Sequence, residues 1–450
     1  MFKLYDYQQN LVDRARNSLA KGNKGVMIIS PPGSGKSVVI AEIARLTIKK
    51  GGHVLFFVHR KELIKQISES FEAQGVDLSH ATIMTVGKVA NRIGKIPKPT
   101  LIICDESHHS RAKTYQKILD YYGDVPRLGF TATPYRLNGA GFDDIYDDMI
   151  VGPSVEWLIK NNKLADYDYY SANLFDNEKL KKSSTGDYTN NSISNSMRPT
   201  IYGDIIKHWK KLANNKQTIV YAHDIEHSKK IAEEFRNAGI NAKHADSKTP
   251  KSERDHIMND FKTGRIKILC NVGLVDEGFD IKECECCVIA RPTESLVFHL
   301  QATMRCMRYL PEKKGVIIDH AGNYASLGLP DTLHHWSLKG REKRKGKQRE
   351  PELDKYTTCD VCSAVFDKEE NTTCPICGHE IETENESELK IDRNAELEKV
   401  DTQNFQMKTN YVITKKPEEL TTVEELKTYA KAKGYKPGWI YFQQKQRGWL

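Results

Sequence analysis

Two short segments carry residues that could act on a nucleotide. S-P-P-G-S-G-K-S runs from Ser30 to Ser37, and D-E-S-H runs from Asp105 to His108. Pro32, Gly33, Ser34 and Gly35 form a loop whose small residues let backbone N–H groups wrap around phosphate, and Lys36 is placed to reach the β- and γ-phosphates. Magnesium needs hard oxygen ligands, which Ser37 and Asp105 supply. Glu106, next to that ligand, is placed to orient and deprotonate a water. Together these residues point to hydrolysis of a nucleoside triphosphate with Mg2+, and leave open what the hydrolysis drives.

Such residues work only when strand–helix junctions hold them. The apolar runs Gly25 to Ile29 and Thr100 to Cys104 immediately precede the two segments and read as buried strands. Val38 to Leu46 has helical periodicity, Gly52 to Val58 reads as a strand, and Lys61 to Phe71 as a helix. This alternation over residues 1–155 predicts a mostly parallel sheet covered on both faces. Residues 156–200, rich in Lys, Ser and Asn toward their end, read as a linker or insertion. The alternation resumes over 201–338. Strands are expected at Gln217 to Ala222, Ile266 to Cys270, Cys287 to Ala290 and Val316 to Asp319, and helices at Ile225 to Ala238 and Ser252 to Phe261.

Composition narrows the class. At 450 residues the chain has room for two to four domains. With 39% hydrophobic and 28% charged residues it fits a soluble protein with ordinary cores, and no apolar run approaches the roughly 18 residues a membrane span needs. The opening Met-Phe-Lys-Leu-Tyr-Asp has no apolar signal region, so export is not expected and a cytoplasmic location is. The ten cysteines are then read in a reducing compartment, where disulfides are not the default. A net charge of +8 is compatible with nucleic acid without establishing it.

Past the second α/β segment, a linker at 339–355 holds seven Lys or Arg between Lys339 and Arg349. It is either a solvated connection or a strap for phosphates. Cys359-x-x-Cys362 and Cys374-x-x-Cys377 follow within 356–380. Two such pairs converge on one tetrahedral Zn2+, and a closed set of four thiolates makes that zinc structural. An acidic linker spans 381–410. The module at 411–450 holds an expected helix from Thr422 to Lys433 and an aromatic tail that includes Tyr435, Trp439, Tyr441, Phe442 and Trp449. That tail would either stack on unpaired bases or form a small core. Cys284, Cys286 and Cys287 read as small residues packed near a strand start.

The order of motifs resembles a superfamily 2 helicase of the DEAD/DEAH type. Leu4 to Gln8 is similar to the family's adenine-recognition segment, which implies that Gln8 reads the base and that the nucleotide is ATP. His59 and Arg60 fall in a segment resembling motif Ia, and Thr85 and Gly87 in one resembling motif Ib. Thr131 and Thr133 belong to T-A-T of motif III, His223 to motif IV, Asn271, Gly278 and Asp280 to motif V, and Gln301, Arg305 and Arg308 to motif VI. The resemblance implies two tandem RecA-like domains with an ATP cleft between them. Arg305 and Arg308 would cross to the γ-phosphate, Gly278 and Asp280 would contact ATP, and His108, Thr131, Thr133 and Gln301 would couple the domains. His59, Arg60, Thr85, Gly87, His223 and Asn271 would line a DNA track.

T-A-T-P-Y-R-L from Thr131, D-H-A-G-N from Asp319 and G-Y-K-P-G-W from Gly434 bring the chain nearer to the RadD-like bacterial DNA-repair helicases and their phage relatives. That implies single-stranded or forked DNA as substrate, in replication, recombination or repair, with single-strand-binding protein or phage replication proteins as candidate partners. A double-strand translocase and an ATP-switched scaffold remain alternatives, and an RNA helicase is a further competitor.

Overall fold

The computed structural model describes residues 1–134, 141–172, 200–202, 204–274, 281–293, 295–334, 336–339, 356–358, 365–367, 373, 390–392, 397–399, 426, 429–430 and 437–446. The first sheet contains β1 (Gly25–Ile29), β2 (Val54–Val58), β3 (Ala81–Thr85), β4 (Leu101–Cys104), β5 (Arg127–Thr131) and β6 (Asp148–Val151), in the order β3-β2-β4-β5-β1-β6. Its pairings are all parallel. β1, β2 and β4 are buried along their whole length. Strands covered on both faces read as unbroken apolar runs, which is why they were visible in the sequence.

Alternate residues of β1 point to opposite faces. Val26 and Ile28 join a core with Val39, Ile40 and Phe71, while Met27 and Ile29 join another with Tyr115, Ile118 and Tyr146. α1 (Asp6–Ala20), α2 (Lys36–Lys49) and α3 (Glu62–Ala73) cover the first face; α4 (Val86–Ala90) and α5 (Lys113–Tyr121) cover the second.

The stretch at 156–200 is more than a linker. After the short helix α6 (Val155–Lys160), residues Tyr167–Ala172 form β7, which pairs in parallel with β13 (Gly315–Asp319) of the second sheet. β7 escapes sequence reading because five of its six residues are Tyr, Asp or Ser, and its Tyr169 and Ser171 become buried only against the second domain. The further strands are β8 (Thr200–Tyr202), β9 (Thr218–Ala222), β10 (Ala242–Asp246), β11 (Ile268–Val272), β12 (Cys286–Ala290) and β13 (Gly315–Asp319). Then come β14 (Tyr356–Thr358), which pairs with β15 (Val365–Asp367), β16 (Lys390–Asp392), which pairs with β8, and β17 (Leu397–Lys399). The second sheet has the order β10-β11-β9-β12-β13-β7-β17. β17 runs antiparallel to β7, so residues read as an acidic linker supply an edge strand. Cys284, Cys286 and Cys287 are all buried around β12, as small core residues.

A segment after the second sheet returns to the first domain. Leu338 O accepts from Phe142 N–H at 2.5 Å and Asp143 N–H at 3.1 Å, and Trp336 and Leu338 pack against the core around Tyr115 and Tyr146. At its root, the Tyr167 hydroxyl donates to Asp331 at 2.5 Å. At the far end of the chain the aromatic tail is helical over Pro437–Gln446. Trp439 stacks on Tyr429 with ring centroids 5.8 Å apart, beside buried Leu426.

Candidate active site

The phosphate loop leaves β1 and enters α2. Gly33 and Gly35 have φ of 85° and 81°, a left-handed backbone that disfavours any side chain. Ser34 closes the loop: its hydroxyl donates to Pro31 O at 2.7 Å and lies 2.6 Å from Ser30 Oγ. Lys36 Nζ donates to Ser30 O at 3.3 Å, so the ammonium sits over the loop, and Ser37 stands in the first turn of α2. The fit to a triphosphate is direct: a left-handed glycine loop, a lysine above it and the N-terminus of a helix of 14 residues.

Gln8 is buried beside this loop. Its Nε2 donates to Ser34 O at 3.4 Å while its Oε1 accepts from Tyr5 N–H at 3.0 Å, and a Cβ on Gly35 would strike Nε2. Tyr7, one residue earlier, donates its hydroxyl to the same Ser34 O at 2.7 Å. Sequence reading missed Tyr7, although its place beside Gln8 in α1 was the available signal.

Asp105 and Glu106 stand at the end of β4. Asp105 Oδ1 accepts from Glu106 N–H at 3.0 Å, and Glu106 adopts φ 49°, ψ 50°, a conformation uncommon for a residue with a side chain. Ser37 and Asp105 offer hydroxyl and carboxylate oxygens, the donor set that suits Mg2+. His108 Nδ1 lies 3.4 Å from Glu106 Oε2 and 3.1 Å from Thr131 Oγ1. The Thr131 hydroxyl also donates to Thr133 O at 2.9 Å. The ring of His108 continues into a row with His109 at 4.1 Å and His59 at 5.3 Å from His109.

The second domain closes the cleft. Gln301, in the helix Leu296–Thr303, donates Nε2 to Glu106 Oε1 at 3.4 Å. The Arg308 guanidinium lies so close to Gly33 that a Cβ there would collide with it. Arg305 is buried. Arg60 donates to Gly273 O and Leu274 O of the second domain, both at 3.3 Å.

The expected nucleic-acid residues divide. Thr85 is buried at the end of β3, whereas Gly87 and Lys88 are exposed. His223 contacts Asp224 through Nε2 at 2.7 Å and His227 through Nδ1 at 2.7 Å. The Asp224 carboxyl is held down at about 2, first by its hydrogen bond with His223, and burial lowers His227 to about 4. Asn271 is fully buried, and its amide donates to Val220 O at 3.0 Å, tying β11 to β9. Gly278, Asp280, the basic residues 340–349 and Cys359, Cys362, Cys374 and Cys377 lie outside the described residues. Among the described residues no group of three or more His, Cys, Asp or Glu is arranged to hold a metal.

Two mostly parallel sheets, a phosphate loop after the first strand and a glutamine and an arginine arriving from the opposite domain define a tandem nucleotide-hydrolysing motor. Residues 1–136 match the family described as the res subunit of type III restriction enzymes, and residues 201–310 match the helicase conserved C-terminal domain. The chain belongs to the superfamily 2 helicases, a class of nucleoside-triphosphate-hydrolysing enzymes.

It is 50% identical over 384 residues to a 51.5 kDa protein of Lactococcus phage (isolate 7-9), covering 85% of this chain and 84% of that protein. It is 27% identical to IRC3 of Saccharomyces cerevisiae, a candidate ATP-dependent helicase, over 71% of this chain and 51% of that one, about half its length. In structure it aligns with the ATP-dependent type ISP restriction-modification enzyme LlaBIII bound to DNA, with a TM-score of 0.52 and 17% identity over 71% of this chain and 28% of that one. That alignment shows a shared fold.

Proposed function

We propose that the chain is an ATP- and Mg2+-dependent DNA helicase or translocase. It acts on single-stranded or forked DNA in replication, recombination or repair, in a bacterial or phage-infected cytoplasm. The observation that carries this reading is the meeting of Gln301 and Arg308 of the second domain with Glu106 and Gly33 of the first in one cleft. DNA as the track is supported by the RadD-like motifs and by the DNA-bound state of LlaBIII.

Bound magnesium nucleotide supplies a polarised γ-phosphoryl group and a cation that offsets its developing charge. Lys36 and the loop N–H groups hold the phosphates, while Ser37 and Asp105 hold the metal. Glu106 orients a water through one carboxylate oxygen and takes its proton. Gln301 and His108 bear on the two oxygens of that carboxylate and fix its direction. Arg308, with Arg305 behind it, stabilises charge on the transferring group, an effect worth about 10³ to 10⁵ in rate for an arginine so placed. Because these groups come from two domains, hydrolysis requires a closed cleft, and reopening after product release would let the DNA grips move by turns.

His59, Arg60, Thr85, Gly87 and His223 are assigned to the track, and Gly278 and Asp280 to the nucleotide. Cys359, Cys362, Cys374 and Cys377 are assigned to structural Zn2+. Four thiolates complete its tetrahedron and leave no open position for chemistry. β14 and β15 flank the first of these cysteine pairs. A single-strand-binding protein is the partner to test first.

The deciding measurement is ATP turnover without nucleic acid and with single-stranded, forked or blunt duplex DNA or RNA, using Glu106→Gln as the inactive control. Stimulation by single-stranded or forked DNA, lost in the variant, supports a tracking helicase. Stimulation by blunt duplex alone moves the assignment to a double-strand translocase. Stimulation by RNA alone overturns the DNA assignment, and no stimulation by any of them leaves an ATP-switched scaffold.

A further inference from the structure

The connection between the two sheets reaches both ends of the nucleotide cleft. At one end, the Trp157 ring meets Tyr7 edge-on with centroids 5.6 Å apart. Lys163 Nζ lies 3.5 Å from the centre of the Tyr5 ring, which itself stacks on Tyr7 at 5.9 Å. Tyr7 in turn holds the phosphate loop through Ser34 O. Burial, with Tyr5 alongside, pushes the Tyr7 phenol up to about 12, so it remains a donor throughout the working range.

At the other end, Leu164 forms an isolated antiparallel bridge with Arg308. The next residue, Ala165, donates its N–H to Met307 O at 2.8 Å. Leu164 is 1% exposed, and its Cδ2 would stand 2.8 Å from a Cβ on Gly33, beside the Arg308 guanidinium. The turn that presents Leu164 is itself well fixed. Lys163 N–H and Leu164 N–H both donate to Leu158 O, at 2.8 and 3.2 Å, with Asn162 left-handed at φ 55° between helix and bridge.

An arginine is a long side chain with several rotatable bonds, so its reach is useful only if its backbone is fixed. Arg308 lies beyond the C-terminal end of the helix Leu296–Thr303, where intrahelical hydrogen bonds no longer hold the chain. Met307, just before it, is buried in the second-domain core, and the Leu164 bridge holds Arg308 from the other side. We propose that Leu164 is a positioning residue for Arg308: it sets the guanidinium against Gly33, and the same connector ties this arginine to Tyr5 and Tyr7 at the other end of the phosphate loop. The inference rests on the role given to Arg308 under Proposed function.

The test is steady-state ATP turnover by the full chain, with its stimulating DNA, for Leu164→Ala, Leu164→Val, Arg308→Ala and the combinations of each Leu164 variant with Arg308→Ala. A displacement of about 1 Å at a reacting group costs up to about 100-fold, so Leu164→Ala should lower kcat by about 10- to 100-fold and change KM for ATP far less. Both changes leave the main-chain bridge in place, and Leu164→Val, which keeps more of the buried side chain beside Gly33, should lose less. In the Arg308→Ala background both Leu164 changes should add almost nothing, because the group they position is gone. Losses that multiply in the double variants would overturn the inference and leave the role of Arg308 standing. An unchanged kcat for Arg308→Ala alone would instead remove the premise. Should Leu164→Ala fail to fold, the Leu164→Val pair yields the same comparison.

Discussion

Gln301 of the second domain donates its side-chain amide to Glu106 Oε1 of the first at 3.4 Å, across a separation of 195 residues in sequence. At that length the bond is weak, but it marks where the second domain bears on the water-activating carboxylate. His108 faces the other oxygen of the same group at 3.4 Å. The base is therefore oriented from both sides, once from within its own domain and once across the cleft.

Removing the base should be more costly than removing its orienter. Glu106→Gln is expected to lower kcat by about 10² to 10⁴ with nucleotide binding retained, the usual range for a positioned general base. Gln301→Ala should lower kcat by about tenfold, with little change in the affinity for ATP, since Gln301 acts only through orientation. Turnover assays beside equilibrium binding of a fluorescent ATP analogue separate the two effects. Equal losses for both variants would argue against this division of roles.

Gly33→Ala combines two faults. The φ of 85° strains any residue with a Cβ by about 1–2 kcal/mol, and that Cβ would run into the Arg308 guanidinium. The variant should lose turnover by on the order of 100-fold. Combining it with Arg308→Ala relieves the collision, so the double variant should turn over no more slowly than Arg308→Ala with a modest strain penalty. A full multiplicative loss would show that the collision is not what matters.

Asp319 gives the second domain a pH dependence. The carboxylate is buried and accepts from Tyr169 Oη at 2.7 Å, Ala321 N at 3.1 Å and Asn323 Nδ2 at 3.2 Å, yet burial still raises it from 3.8 to about 6. The folded pKa lies above the unfolded one, so the folded state binds the extra proton. Stability is therefore highest below about pH 4 for this group and declines as pH rises to about 6, by about 3 kcal/mol in all. Asp319→Asn should lower the midpoint of unfolding overall, because an amide NH2 must face donors on one side, and should flatten the difference between pH 4 and pH 6. Parallel pH-dependent slopes in the two proteins would exclude Asp319 as the source.

Removal of metal should act far from catalysis. The protein purified without chelator should hold stoichiometric zinc by elemental analysis, and Cys362→Ser or Cys377→Ser should lose it. ATP turnover without DNA should persist in these variants, since none of the four cysteines is among the residues assigned to the nucleotide or its metal. A zinc-free preparation with all four thiols reactive would remove the assignment.

Much of this architecture was legible in the sequence because the information was local. β1, β2 and β4 are wholly buried, so they read as apolar runs, and the glycines of the phosphate loop and the Asp105–Glu106 pair follow β1 and β4 directly. The cysteines of β12 were legible for the same reason: small apolar side chains at a strand start belong in a core.

Other elements were not legible because nothing local marks them. Tyr167–Ala172 reads as polar linker until β13 pairs with it and Tyr169 meets Asp319 across the sheet. Asn271 sits in a helicase motif, but only the register of β11 against β9 decides that its amide turns inward to Val220.

Residue types and their spacing along the chain determined the chemistry: a lysine on a phosphate loop, a metal-binding aspartate and a neighbouring base. Each of these needs only one strand–turn–helix unit to be recognised. The motif resemblance brought Gln301 and Arg308 to the cleft, but tertiary structure alone decided what each one meets: Gln301 on Glu106, Arg308 against Gly33 and Leu164 behind Arg308. Those pairings join residues far apart in the chain, and they exist only once two separately folded sheets have closed on one another.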